Sequence, residues 1–81
     1  MYTYYIHTNR DGFNPSGTFE VWRHGRSGRQ FLGGAHTSAE DALAWFVETW
    51  IGPNPTTTYK VYVEGMKPFL QTFGPANEES I

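Results

Sequence analysis

Only one stretch of this chain, residues 37–51, carries the three- and four-residue apolar spacing of a helix. Ala39, Leu43, Phe46, Val47 and Trp50 fall on one stripe. Thr37-Ser38-Ala39-Glu40 fits a capping box, with Thr37 as the cap, and Glu40 and Asp41 put negative charge at the positive end of the helix dipole. Gly52 and Pro53 stop the helix. The remaining apolar segments are of strand length. One helix can cover only one face of one sheet, so the pattern predicts a two-layer α+β sandwich.

Five segments read as strands: residues 3–9, 18–24, 29–35, 58–64 and 69–73. Between them lie turn formers: Asp-Gly, Asn-Pro and Ser-Gly in residues 10–17, Gly25-Arg26-Ser27-Gly28, the proline-rich residues 52–57, and Gly65 to Pro68. The expected order is βββαββ, an antiparallel β-sheet with one helix packed on one face. The second and third strands form the clearest hairpin. Where the last hairpin joins is not fixed by the pattern. Residues 1–73 are expected to form a single domain, and the polar residues 74–81 to fray. The core should join Leu43, Phe46 and Trp50 to Ile6, Phe19, Val21 and Val61.

Aromatic residues make up 17% of the chain, enough for a few large side chains to build a compact core, and they argue against disorder. The chain has no Cys, which excludes disulfides and thiolate metal sites. A small secreted domain usually carries disulfides, so a reducing compartment, the cytoplasm, is expected. Neither a signal-peptide pattern nor an apolar run long enough for a membrane span is visible, so no membrane partner is expected.

Alternation marks two candidate surfaces. If Tyr4, Ile6, Phe19, Val21, Val61 and Val63 face the helix, then Tyr5, His7, Glu20, Trp22, His24, Lys60, Tyr62 and Glu64 face outward. Such rings stabilise a sheet by pairing across strands, and Trp, Tyr and Arg are also the residues enriched at binding hot spots. On the helix, Trp45 falls opposite the apolar stripe and shares an outer face with Asp41 and Glu48. Charge is segregated as well. Residues 10–36 hold Arg10, Arg23, Arg26 and Arg29 against Asp11 and Glu20; residues 37–81 hold two lysines against six carboxylates. The hairpin tip around Arg23, Arg26 and Arg29 is a compact basic point, suited to phosphate or an acidic protein patch.

Motifs for catalysis are missing. The serines lie in turns, a cap and the tail, no phosphate-binding glycine motif occurs, and His7, His24 and His36 match no metal spacing. No enzyme, cofactor or metal is expected.

Two resemblances add to this. The run Leu32-Gly33-Gly34-Ala35-His36-Thr37-Ser38-Ala39-Glu40-Asp41-Ala42 resembles the strand-to-helix junction of AP2-type DNA-binding domains, which would place Trp22, Arg23, Arg26 and Arg29 on a groove-facing sheet. The net charge of −2 and a second hairpin after the helix depart from that family, so direct nucleic-acid binding is not expected, to duplex DNA least of all. In profile, the chain resembles small phage-encoded anti-CRISPR proteins of type I systems. The profile comprises a short Cys-free chain, Phe19-Glu20-Val21 opening a strand, a Gly-Arg turn, a capped helix ending Glu48-Thr49-Trp50-Ile51-Gly52-Pro53, and a closing hairpin. That resemblance implies an inhibitor that binds a bacterial CRISPR surveillance complex and blocks its action on DNA. The alternatives are a small nucleic-acid-binding domain that uses the aromatic sheet face and the arginine hairpin, and a homo-oligomer (a homodimer in the simplest case) whose rings bury against a copy. The partner-binding candidates are Trp22, Arg23, Arg26, Arg29, Tyr5, Tyr62, Trp45, Asp41 and Glu48.

Overall fold

A computed structural model describes residues 2–9 and 15–74. It contains β1 (Thr3–Thr8), β2 (Phe19–Gly25), β3 (Gly28–His36), α1 (Ala39–Phe46), a π-helical turn (Val47–Ile51), β4 (Tyr59–Val63) and β5 (Leu70–Phe73). The strands form one sheet in the order β3-β2-β1-β4-β5, with the helix on one face. The element order agrees with the sequence pattern. The expected loop at 10–17 lies mostly outside the described residues, and the tail at 74–81 almost wholly so.

The expectation of an antiparallel sheet fails at one pair. β1 and β4 are parallel, with Tyr4 opposite Val61, Tyr5 opposite Tyr62 and Ile6 opposite Val63. The cause is the helix. β3 carries the chain to one end of the sheet, and the helix returns it across one face. The next strand then starts where β1 starts and runs the same way. A parallel connection needs a dozen or more residues, which the segment between β3 and β4 supplies. The last hairpin thereby joins the first sheet and closes the free edge of β1.

The helix cap is displaced by one residue from Thr37. Ser38 is the N-cap: its backbone is extended and its hydroxyl accepts from the Asp41 amide at 3.1 Å. Thr37 donates its hydroxyl to the Asp41 carboxylate at 2.6 Å. Starting at Ala39 turns the inner line to Ala39, Ala42 and Phe46, all buried. The small alanines let the helix lie close to the strands. Val47, expected in the stripe, is instead exposed, and Leu43 and Trp50 flank the core half-buried. Phe46 is fully buried with Ile6, Val21, Val61 and Val63, and its ring stands 4.9 Å from Tyr4 and 5.9 Å from Tyr59. In the π turn the Gly52 amide donates to the Val47 carbonyl at 2.8 Å. The Tyr59 hydroxyl then donates to the Trp50 carbonyl at 3.1 Å, tying this turn to β4.

β3 carries two irregularities against β2. Phe19 pairs with His36 and Val21 with Gly33, so Gly34 and Ala35 oppose the single residue Glu20. Ala35 has φ of 65°, an uncommon left-handed conformation for alanine. Leu32 is a second extra residue between the Val21–Gly33 and Trp22–Phe31 pairs. The bared glycine receives the helix: a Cβ on Gly33 would stand 2.7 Å from the Trp45 indole. Trp45 is therefore half-buried against β3 and His36, not on an outer face with Asp41 and Glu48. The wheel position that looks outward is covered because β3 curls up beside the helix.

Candidate functional site

The face opposite the helix is organised in three rungs that cross the strands. The middle rung is aromatic. Phe31 pairs with Trp22, Trp22 with Tyr5, Tyr5 with Tyr62, and Tyr62 with Leu70. Phe69 stacks on Tyr62 at 5.4 Å and carries the aromatic surface on to the fifth strand. Tyr5 and Tyr62 stack at 5.3 Å, and Phe31 meets Trp22 edge-on at 5.4 Å. Strict alternation in β1, β2 and β4 puts these rings on one side, as expected from the sequence.

The rung toward the β2–β3 hairpin is basic. Arg29 pairs with His24 and His24 with Thr3, and Lys60 is next in line on β4. The Arg29 guanidinium lies 5.4 Å from the Trp22 ring centre. Arg26 is exposed at the tip beyond, where Gly28 takes a φ of 117° to close the turn. Burial beside Tyr5, whose ring is 4.3 Å away, holds the His24 imidazole below its ordinary pKa, and the charges of Arg29 and His7 add to this.

The third rung pairs Glu20 with His7, and Glu64 follows directly on β4, its amide donating to the Ile6 carbonyl. Both acids are engaged. Glu20 is fully buried and accepts from the Trp22 indole nitrogen at 2.9 Å; Glu64 accepts from the Thr8 amide at 3.1 Å. A shallow recess of about 180 Å³ runs beside Tyr5, His7, Tyr62, Glu64 and Phe69.

The structure brings Trp22, Tyr5, Tyr62 and Arg29 together, with Arg26 at the border. Arg23 stands apart. It alternates onto the helix side, where its guanidinium donates to the Gln30 side chain and lies 4.2 Å from the Tyr2 ring centre. It also lies 5.6 Å from the Trp50 ring centre. Burial raises the pKa of neighbouring Tyr4, and Arg23 partly offsets that rise. On the other layer Asp41 is occupied in the helix cap, and Glu48 rims an apolar groove formed by Leu43, Ala44, Val47 and Met66. Asp41, Glu48 and Trp45 thus make no joint surface.

Phe31 and Phe69 were not among the sequence candidates, yet they are the most exposed rings of the face, at 44% and 59%. Counting rungs back from the Arg26-Ser27 turn would have set Phe31 opposite Trp22. No local signal marks Phe69, which precedes its strand. Among the described residues, no group of three His, Asp or Glu side chains is placed to hold a metal. No described helix is long and apolar enough to cross a membrane. Compared with known proteins, the chain matches no family model, no curated sequence and no solved structure.

Proposed function

We propose that this chain is a non-enzymatic binding protein whose partner docks on the open sheet face, with the arginine hairpin at its border. One observation carries the reading: a single rung is aromatic on four adjacent strands and is extended to the fifth by Phe69. Cross-strand pairing accounts for the half-buried inner rings. It does not account for Phe31 and Phe69, which leave large apolar surface in water at both ends of the row. In the setting that the profile resemblance implies, the partner is a bacterial CRISPR surveillance complex, and docking blocks its action on DNA. The lack of catalytic motifs and of Cys in these residues supports that setting.

The test is a pull-down from bacterial lysate with the tagged chain, followed by mass spectrometry. Tyr62→Ala with Phe69→Ser, or Arg26→Glu with Arg29→Glu, should weaken capture of the partner roughly 30- to 1,000-fold, the cost of losing interface anchors. Trp22→Ala is a poorer probe, because it strips the buried Glu20 carboxylate of its indole donor. Glu48→Lys tests the helix surface in the same assay; a loss confined to that variant would reject the sheet face. A dimer in sedimentation that disappears with Phe69→Ser would assign the rings to self-association.

A further inference from the structure

We infer that the open face binds single-stranded nucleic acid, with bases along the aromatic rung and phosphates along the basic rung. The inference rests on the reading above that this face is the partner surface, and it names what part of a partner the face takes. A single strand has two chemically different edges, planar rings on one and regular negative charge on the other. The face has the same two-edged order. Phe31, Trp22, Tyr5, Tyr62 and Phe69 form one line, and Arg29, His24 and Lys60 form a parallel line beside it, two residue pairs closer to the hairpin tip.

Three further observations favour this ligand. The first is chemical: the middle rung has a single aliphatic member, Leu70, so it offers a row of flat rings on which bases can stack. The second is charge. The chain is acidic overall, but the three helix carboxylates Glu40, Asp41 and Glu48 lie on the opposite layer, and the two acids of the open face are engaged by Trp22 and Thr8. Along the rung beside the hairpin the exposed charges among the described residues are the cations Arg26, Arg29 and Lys60, while Glu20 and Glu64 lie across the aromatic rung, so the potential is positive on the hairpin side. The third is size. The recess of about 180 Å³ is below the roughly 300 Å³ of small-molecule sites, whereas five strands span about 19 Å, enough for the two or three bases that a sheet platform stacks. A rigid duplex keeps its bases stacked inside and cannot use the rings.

The test titrates the full chain into fluorescein-labelled oligo-uridine, oligo-thymidine and duplex DNA of about 12 residues, at about 0.15 M salt, by anisotropy. Both single strands should bind, and the duplex should bind at least about tenfold more weakly. Tyr62→Ala and Phe69→Ser should each weaken the single strand about 5- to 150-fold, the value of one stacked base. Arg26→Glu with Arg29→Glu should flatten the salt dependence. Glu40→Gln, on the far layer, should change nothing. Stacking and phosphate contacts tolerate either sugar, so equal binding of the two single strands and a modest preference for one both support the inference. Single strands that bind no better than duplex, or binding indifferent to both ring variants, overturn it. A pull-down from nuclease-treated lysate then separates the two readings. Where no strand binds, protein captured by the wild type and lost with Phe69→Ser makes this a protein-binding face, so the inference falls and the proposed function stands. If nothing is captured and no strand binds, both fall.

Discussion

Tyr4 and Tyr5 are neighbours in β1, yet one is walled in by Phe46, Tyr59 and Arg23 while the other stands on the open face between His24 and Tyr62. The contrast runs through the whole sheet. On the helix side, rings meet around Phe46 at tilted and edge-on angles and leave almost no surface in water. On the other side Tyr5, Tyr62 and Phe69 stack in series, Phe31 meets Trp22 edge-on, and the row ends in Phe31 and Phe69, which are exposed to water. The same residue type serves opposite ends because a strand points successive side chains to opposite faces. One face supplies the burial that holds the fold; the other supplies a surface whose rings are fixed by their neighbours before any ligand arrives.

The largest expected effect separates the two faces directly. Phe46→Ala should cost about 3–5 kcal/mol, close to the whole stability of so small a domain, since the ring is fully buried. Phe69→Ser, on the open side, should stay within about 0.5 kcal/mol. Urea unfolding of both variants reads the difference, and comparable losses would show that the open rings also hold the fold.

The division into two faces was legible in the sequence because alternation is a local property. Tyr4, Ile6, Val21, Val61 and Val63 could be set against Tyr5, Trp22, His24 and Tyr62 from spacing alone. The helix was legible for the same reason, although its cap slid from Thr37 to Ser38: two hydroxyl residues stand side by side, and packing of Ala39 and Ala42 decides between them. Long-range matters were not legible. The parallel seating of β4 beside β1 follows from where the helix delivers the chain. The burial of Trp45 depends on bulges that bring Gly33 beneath it, and a helical wheel carries no information about a neighbouring strand. Arg23 was grouped with Arg26 and Arg29 by closeness in sequence, whereas alternation puts it on the other face. For the candidate site, Tyr5, Trp22, Tyr62 and Arg29 came from pattern, while Phe69 came only from the fold.

A smaller effect tests the border between the two faces, where Trp45 lies on β3. Gly33→Val introduces atoms where the indole already stands, so either Trp45 or β3 must move, at a cost of about 1–3 kcal/mol. Near-ultraviolet circular dichroism should change along with the unfolding midpoint. An unchanged midpoint would mean that Trp45 does not rest on Gly33. The substitution should leave the Tyr5–Tyr62 stack intact, so any binding through the open face should survive at temperatures where the variant is folded.

The smallest effect belongs to His24, which titrates on the open face and is partly screened by water. Its neighbours are the Tyr5 ring and His7 on β1 and Arg29 on β3. Burial and those two cationic neighbours lower its pKa, so the folded protein holds this proton more weakly than the unfolded chain, whose value is about 6.5. The contribution to stability is therefore complete above about pH 6.5 and is lost as pH falls through that value toward the lower folded one. Histidine is the side chain that ordinarily titrates between about pH 7.5 and 5.5, so thermal midpoints are compared across that window. Wild type should lose stability across this window, and His24→Gln should lose less, with His7 and His36 common to both. Arg29→Gln should recover part of the difference by removing one repulsive charge. Identical slopes for wild type and His24→Gln would place His24 in an ordinary aqueous environment, away from Tyr5. A phosphate laid along the same rung would favour the protonated ring, so a bound oligonucleotide should flatten the wild-type slope and leave that of His24→Gln nearly as it was.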